Sequence, residues 1–221
     1  MGRAVSPVLG DLAWPDVPAG LLVVPLGSTE QHGPHLPLST DTDVAVALAH
    51  RLAADVADAV VAPAVPYGSS GEHAGFPGTL SIGQEALELL LVELVRSADR
   101  FSRVLLVNGH GGNAEPVRRS VARLRAEGRD VRAWGPSFGG DAHAGRTETS
   151  VLLALGRPVR AERPVGAAQP VAELLPAMLA GGVAAVSPSG VLGDATGAST
   201  EEGIALLDQA STDLLAFVRS W

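Results

Sequence analysis

The chain has 221 residues, of which 46% are hydrophobic and 18% charged, a balance typical of one compact domain, so we expect residues 1–221 to form a single domain. Its formal charge of −8 argues against a nucleic-acid partner, because such binding needs clustered basic residues. All 16 basic residues are arginines and cysteine is absent, which excludes lysine Schiff bases, cysteine nucleophiles and cysteine-bound metals.

The sequence was also searched for secretory and membrane-spanning patterns. The N-terminal stretch MGRAVSPVLGDLAW lacks a basic start followed by an apolar core, so we expect no secretory signal. No stretch reaches the roughly 18 uninterrupted apolar residues that a membrane-spanning helix needs. The sequence therefore predicts a cytoplasmic protein without a membrane partner.

Strands and helices alternate along the chain. The predicted elements are a strand at 21–26, a helix at 41–56, a strand at 60–65, a helix at 84–101, a strand at 104–107, a helix at 115–127, a strand at 130–134, a helix at 147–155, a short helix at 172–179, a strand at 183–186 and a helix at 200–219. Thr40 or Asp41 is the expected N-cap of the first helix, and Ser199 or Thr200 that of the last. The alternation predicts an α/β fold with parallel strands.

Potential metal ligands follow the predicted strands. In chain order they are Glu30, His32, Asp41, Glu72, His73, His110, His143 and Glu148. In open α/β sheets, ligands bind beyond the carboxyl ends of the strands, and nearly all these candidates fall at that edge. A single histidine is more often a surface or capping residue than a ligand, but the whole group at one edge indicates a metal site.

The number of carboxylates indicates two metal ions. Glu30, Asp41 and Glu148 carry more negative charge than one Zn²⁺ with histidine ligands requires. A bridging aspartate between two divalent ions about 3.5–4 Å apart would balance that charge. Water bound to such ions ionises near pH 7 and can attack an amide carbonyl without a serine or cysteine.

Other catalytic motifs match the sequence poorly. Glycines on both sides of His110 allow the backbone to approach an ion or a substrate closely. Binding of a phosphate there is the weaker interpretation, since neither a Walker motif nor G-x-G-x-x-G is present. No G-x-S-x-G elbow occurs, which argues against a serine hydrolase.

Several motifs carry a resemblance to a known family. They are Gly27–Gly33 with Asp41, Phe76–Thr79, Asn108–His110 and His143–Ser150. With them, the chain resembles the creatininase family of metal-dependent amidohydrolases. Within that family it is most similar to the peptidase branch of the mycofactocin system, through Tyr67–His73, 90–97 and Asp141–Gly145. The resemblance implies a three-layer α/β/α sandwich with a mostly parallel central sheet, assembled as a homo-oligomer, in this family a hexamer.

The resemblance also implies roles for individual residues. It implies two divalent ions per subunit, for which Zn, Fe(II) or Mn would suit the donors. Glu30 and His32 would each bind one ion, Asp41 would bridge them, and His110 would complete one shell. His143 matches the proton-transfer histidine of the family.

One position departs from the family pattern. Creatininase has a glutamate two residues after the histidine of its N-G-H motif, where this chain has Gly112. We expect Glu148 to supply the missing ligand, with an outer partner or a helix cap as its alternative roles. Four further residues are predicted to line the substrate pocket, namely Tyr67, Glu72, His73 and Trp134, although Trp134 at a strand end is equally suited to packing.

The implied reaction is hydrolysis of an amide bond by a metal-activated water. In the mycofactocin branch it releases the C-terminal Val-Tyr dipeptide from the modified precursor peptide. An alternative is an amidohydrolase for creatinine or another cyclic amide or formamide, although Gly112 argues against creatinine. A metal-binding scaffold without catalysis is a third hypothesis, which the complete set of carboxylates and histidines disfavours.

Overall fold

The computed structural model describes residues 7–221; residues 1–6, the start of the predicted domain, lie outside the described residues. The strands are β1 (Leu21–Leu26), β2 (Ala59–Val61), β3 (Arg103–Asn108) and β4 (Val131–Trp134). The helices are α1 (Thr40–Asp55), α2 (Gln84–Arg96), α3 (Ala114–Ala126), α4 (Arg146–Ala154), α5 (Val171–Gly181) and α6 (Thr200–Arg219). In this part of the chain, no helix combines the length and apolarity that crossing a bilayer requires.

A parallel sheet with the strand order β2-β1-β3-β4 forms the centre of the described chain. Side chains of β1 alternate between its two faces, because successive residues of a strand point in opposite directions. Leu21 and Val23 pack in the core with α1, α4 and α6, whereas Leu22 and Val24 pack with α2 and α3. The predicted three-layer α/β/α sandwich is confirmed.

Strand β2 is shorter than the predicted strand at 60–65. It ends at Val61, and pairing resumes only as an isolated bridge between Leu26 and Val65. Pro63 has no N–H to donate, and neither has Pro25 on the neighbouring strand. The hydrogen-bond ladder is therefore interrupted between these points.

The predicted strand at 183–186 is wrong. Val183–Ala185 form a 3₁₀ helix directly after α5, because Gly182 turns the chain with φ 71°. A short apolar run cannot be assigned to strand or helix from periodicity alone. Val183 packs instead with Leu174 and Leu192, in a small cluster beneath α5.

The N-cap residues of α1 and α6 can be compared with the predicted ones. Ser199 caps α6, and its hydroxyl accepts a hydrogen bond from the Glu202 N–H at 3.2 Å, as predicted. Helix α1 has Ser39 at its N-cap position, so the prediction of Thr40 or Asp41 is wrong. Asp41 lies inside the first turn, where its carboxylate faces the ends of the strands.

Candidate metal centre

The predicted ligands come together beyond the carboxyl ends of the sheet. The loop after β1 brings Glu30 and His32, and the loop after β3 brings His110. The segment after β4 brings His143, and the first turn of α4 brings Glu148. Because these strands are parallel, their carboxyl ends share one edge and the loops converge there.

Two glycines allow the strand ends to press against α1. A Cβ atom on Gly109 would collide with the carbonyl oxygen of Asp41, and one on Gly27 would lie 2.5 Å from the Thr42 nitrogen. Any larger residue at either position would push the helix away from the sheet. This close approach places Asp41 between the loops that follow β1 and β3.

The Asp41 carboxylate faces a different histidine with each oxygen. Its Oδ1 lies 3.1 Å from His32 Nε2, and its Oδ2 lies 3.2 Å from His110 Nδ1. The Ser28 hydroxyl donates to Oδ2 at 2.7 Å, which fixes the plane of the carboxylate. All four side chains are buried. Asp41 therefore presents one carboxylate oxygen to each of the two histidines.

In His32 and in His110, one ring nitrogen donates a hydrogen bond to a backbone carbonyl oxygen. His32 Nδ1 donates to the Glu30 carbonyl oxygen at 3.3 Å, and His110 Nε2 donates to the Ser69 carbonyl oxygen at 3.0 Å. Metal-binding histidines commonly use their second nitrogen in this way, which fixes the tautomer and the ring orientation. The nitrogens left over are those that face Asp41.

The burial of the Glu30 carboxylate is the observation that favours a metal ion most directly. The residue is 0% exposed, yet neither carboxylate oxygen has a hydrogen-bond partner in the described chain. Burying an ionised carboxylate without compensation costs several kcal/mol, and buried charges are therefore paired or bind metals. His73 Nε2 and His110 Nε2 lie 3.4 and 3.3 Å from its oxygens. A divalent cation bound to the Glu30 oxygens would satisfy them.

Three sets of side chains have donor atoms within 4.8 Å of one another. The sets are Glu30, Asp41 and His110; His32, Asp41 and Glu148; and Glu30, His32 and His143. Asp41 is common to the first two sets, as expected for a bridging ligand. Imidazole and carboxylate donors suit Zn, Mn or Fe(II).

The electrostatics of the centre favour positive charge on either side of Asp41. Burial lowers the pKa of His32, but the Asp41 carboxylate outweighs burial and raises this pKa to about 10. For His110, burial is likewise outweighed by the hydrogen bond to Asp41, and its pKa rises to about 9. Burial and the Asp41 charge raise the pKa of Glu30 to about 7. Protons on His32, His110 and Glu30 thus occupy positions that divalent ions would take.

His143 lies beside the donors with one nitrogen exposed to them. Its Nε2 donates to the Gln31 carbonyl oxygen at 2.8 Å, so Nδ1 carries the lone pair of the neutral ring. That Nδ1 lies 3.9 Å from Glu30 Oε1. Burial, reinforced by the His32 charge, holds the pKa of His143 well below its ordinary value. A neutral histidine in this position can accept and return a proton.

Gln31 contacts two of the candidate site residues, although the sequence analysis did not single it out. Its Nε2 donates to His73 Nδ1 at 2.8 Å and lies 3.2 Å from the Gly190 carbonyl oxygen. Burial lowers the pKa of His73 to about 3, so this ring is neutral and can accept the bond. Gln31 therefore orients His73 with its side chain and His143 with its carbonyl. The only signal in the sequence was its position between Glu30 and His32.

A cavity of about 510 Å³ opens over these residues and includes Glu72 and His73 among its lining. Tyr67 lies elsewhere, in a separate apolar pocket beside Ile82 and α2. Trp134 packs against the core layer of α1, α4 and α6. These placements correct the prediction that Tyr67 and Trp134 line the substrate pocket. Strand alternation turns Trp134 toward the core.

The space beside Gly112 is occupied by another acidic residue. A Cβ atom on Gly112 would lie 2.5 Å from both Glu72 Oε1 and His110 Nε2, and closer still to the Ser69 carbonyl oxygen. Glu72 Oε1 lies 3.8 Å from His110 Nε2. Glu148 lies on the other side, with Oε2 3.9 Å from His32 Nε2. Its role as a metal ligand stays a prediction.

We expect the substitution Gly112→Ala to weaken metal binding by about 10–100-fold, the usual cost of losing a partner that orients a ligand. The added methyl group would displace the His110 ring from the Ser69 carbonyl oxygen. Gly111→Ala is the matched control, because a Cβ atom there meets nothing within 4 Å. Competition with a chelator of known affinity measures the effect, and equal affinities in the two variants would contradict it.

Comparison with known proteins agrees with this geometry. The model of the family Creatininase, described as creatinine amidohydrolase, matches residues 10–218. The mycofactocin precursor peptide peptidase of Mycolicibacterium smegmatis is 51% identical over 211 residues, covering 91% of this chain and 85% of that protein. A crystal structure of creatinine amidohydrolase has a TM-score of 0.78 at 25% identity and covers 96% of both chains.

A creatininase structure described as the Mn form has the same TM-score, 0.78, at 26% identity, and covers 97% of this chain and 98% of the other. The buried imidazole and carboxylate donors fit a divalent metal in this chain as well. The resemblance inferred from the motifs is confirmed. This chain belongs to the creatininase family.

Proposed function

We propose that this chain is a metal-dependent peptidase of mycofactocin biosynthesis. It hydrolyses an amide bond in the modified precursor peptide and releases the C-terminal Val-Tyr dipeptide. The buried Glu30 carboxylate, without a hydrogen-bond partner and next to the Asp41 carboxylate, is the observation that carries the metal chemistry. The high identity to the mycobacterial peptidase supports a peptide substrate over creatinine, whose hydrolase is the more distant relative.

Two divalent ions, Zn, Fe(II) or Mn, complete the proposed centre. Glu30, Asp41 and His110 would hold one ion, and His32, Asp41 and Glu148 would hold the other. When bound, such ions polarise a carbonyl group and lower the pKa of water to near 7. Glu30 and Asp41, which are both buried, would balance the charge of these ions.

The remaining residues position the peptide and move a proton. His143 Nδ1 faces the donors, where it would take a proton from the attacking water and pass it to the departing nitrogen. The Gln31 carbonyl oxygen holds His143 Nε2 and keeps Nδ1 aimed at the reaction. Glu72 and His73 form the wall of the cavity along which the peptide lies.

The decisive experiment incubates metal-loaded protein with the modified precursor peptide and analyses the products by mass spectrometry. We expect loss of the C-terminal dipeptide, abolished by a chelator and restored by Zn, Mn or Fe(II). A chelator-treated sample and a creatinine sample serve as controls. Cleavage that is indifferent to chelation would overturn the metal centre. Hydrolysis of creatinine without cleavage of the peptide would favour the cyclic-amide alternative.

Assembly and location extend the proposal. The family resemblance implies a homohexamer, and light scattering would then give a mass well above that of one chain. We also propose a cytoplasmic location, which stays a prediction.

A further inference from the structure

Helix α5 carries an apolar stripe that the fold does not bury. The stripe consists of Val171, Leu175 and Leu179, which lie four residues apart and therefore on one face of the helix. Their exposed fractions are 42%, 46% and 80%. In the same helix only Leu174 is buried, and it packs with Val183 and Leu192 beneath α5. The helix is thus held by another face, and the stripe is not needed to anchor it.

The stripe lines the cavity that contains the metal centre. Val171, Leu175 and Leu179 share this cavity with Glu30, Asp41 and His110 at its deep end. The apolar wall and the candidate catalytic groups therefore belong to the lining of one cavity. A group that covers the stripe therefore lies in the same cavity as the candidate metal centre.

The chemistry of the cavity selects among possible side chains of the substrate. Three of the carboxylates that line it, those of Glu30, Asp41 and Glu148, are candidate metal ligands, and arginine is absent from the described residues that line it. An acidic side chain would find no cationic partner on this wall. A polar side chain would lose hydrogen bonds to water against the stripe. An apolar or aromatic side chain would bury the stripe and be stabilised by the area removed from water.

We propose that the α5 stripe is the specificity surface of the enzyme, and that it receives a bulky apolar or aromatic side chain next to the scissile amide. This inference rests on the proposed function and adds the surface that recognises a side chain of the substrate. The stripe touches the side chain and not the reacting atoms. Altering it changes the choice among peptides while the metal centre stays intact.

The test compares the double variant Leu175→Ser/Leu179→Ser with the wild-type enzyme. The substrates are the precursor peptide ending in Val-Tyr and a synthetic analogue ending in Ser-Ser. We expect kcat/KM for the Val-Tyr peptide to fall about 10-fold or more, the scale on which apolar pockets discriminate. The Ser-Ser peptide should change little, and the bound metal should be unchanged. Leu89→Ser is the matched control, because Leu89 is 58% exposed on α2 outside the cavity.

A binding measurement separates this inference from the proposed function. Calorimetry with the free dipeptide Val-Tyr needs no cleavage, and we expect the double variant to bind it about 10-fold more weakly than wild type. If wild type cleaves neither peptide, the proposed function fails, while weaker binding by the double variant still supports the stripe. Unchanged binding and unchanged selectivity in the double variant would overturn the inference.

Discussion

Replacing Asp41 by asparagine is expected to remove both metal ions and to lower kcat/KM by more than about 100-fold, the upper end of what losing an orienting partner alone costs. The reason is the position of the carboxylate, since Oδ1 faces His32 and Oδ2 faces His110. Asparagine keeps the shape but loses the charge, and it turns an N–H group toward one of the two positions. Elemental analysis of the purified variant measures the loss of metal.

The matched control for this substitution lies two residues away. Asp43 is in the same turn of α1, but its carboxylate pairs with Arg157 at 2.8 Å and with the Ser39 hydroxyl. Exposed ion pairs of this kind contribute about 0–1 kcal/mol, so Asp43→Asn should keep both ions and full activity. Retention of two ions by Asp41→Asn would show that the aspartate does not bridge them.

Convergence of the ligands was predictable because it follows from topology. Parallel strands end at one edge of a sheet, so residues such as Glu30 and His110 were expected to meet there from the order of elements alone. The structure brings together Glu30, His32, Asp41, His110, His143 and Glu148, as that argument predicted. Helix boundaries such as the start of α6 were readable from capping chemistry.

The errors arose where a contact depends on residues distant in sequence. Gln31 acts through His73 and Gly190, which are 42 and 159 positions away. No local pattern indicates such partners. The orientation of Tyr67 toward a separate pocket depends in the same way on α2.

The predictions of two short strands failed for a different reason. The run at 183–186 has the composition of a strand, but Gly182 turns it into a 3₁₀ helix beneath α5. At β2 the interruption by Pro63 and Pro25 depends on which strands are neighbours. Local propensity for a strand was thus outweighed by a glycine turn in the first case and by tertiary context in the second.

Replacing His143 by alanine is expected to lower turnover by about 10²–10⁴-fold, the usual contribution of general acid–base catalysis, while both ions stay bound. The ring is held by the Gln31 carbonyl oxygen and presents Nδ1 to the donors at 3.9 Å from Glu30 Oε1. Without it, the departing nitrogen must leave unprotonated. The loss should therefore be smaller for an anilide, whose nitrogen is a weaker base, than for a peptide.

Turnover with both substrates and elemental analysis of the same sample distinguish proton transfer from metal binding. His143 also belongs to a set of possible ligands with Glu30 and His32, so it has an alternative role as a metal ligand. Loss of an ion in the alanine variant, with equal losses of turnover for anilide and peptide, would assign it that role. Retained metal with unequal losses would fix His143 as the proton donor, because a ligand to the metal affects both substrates alike.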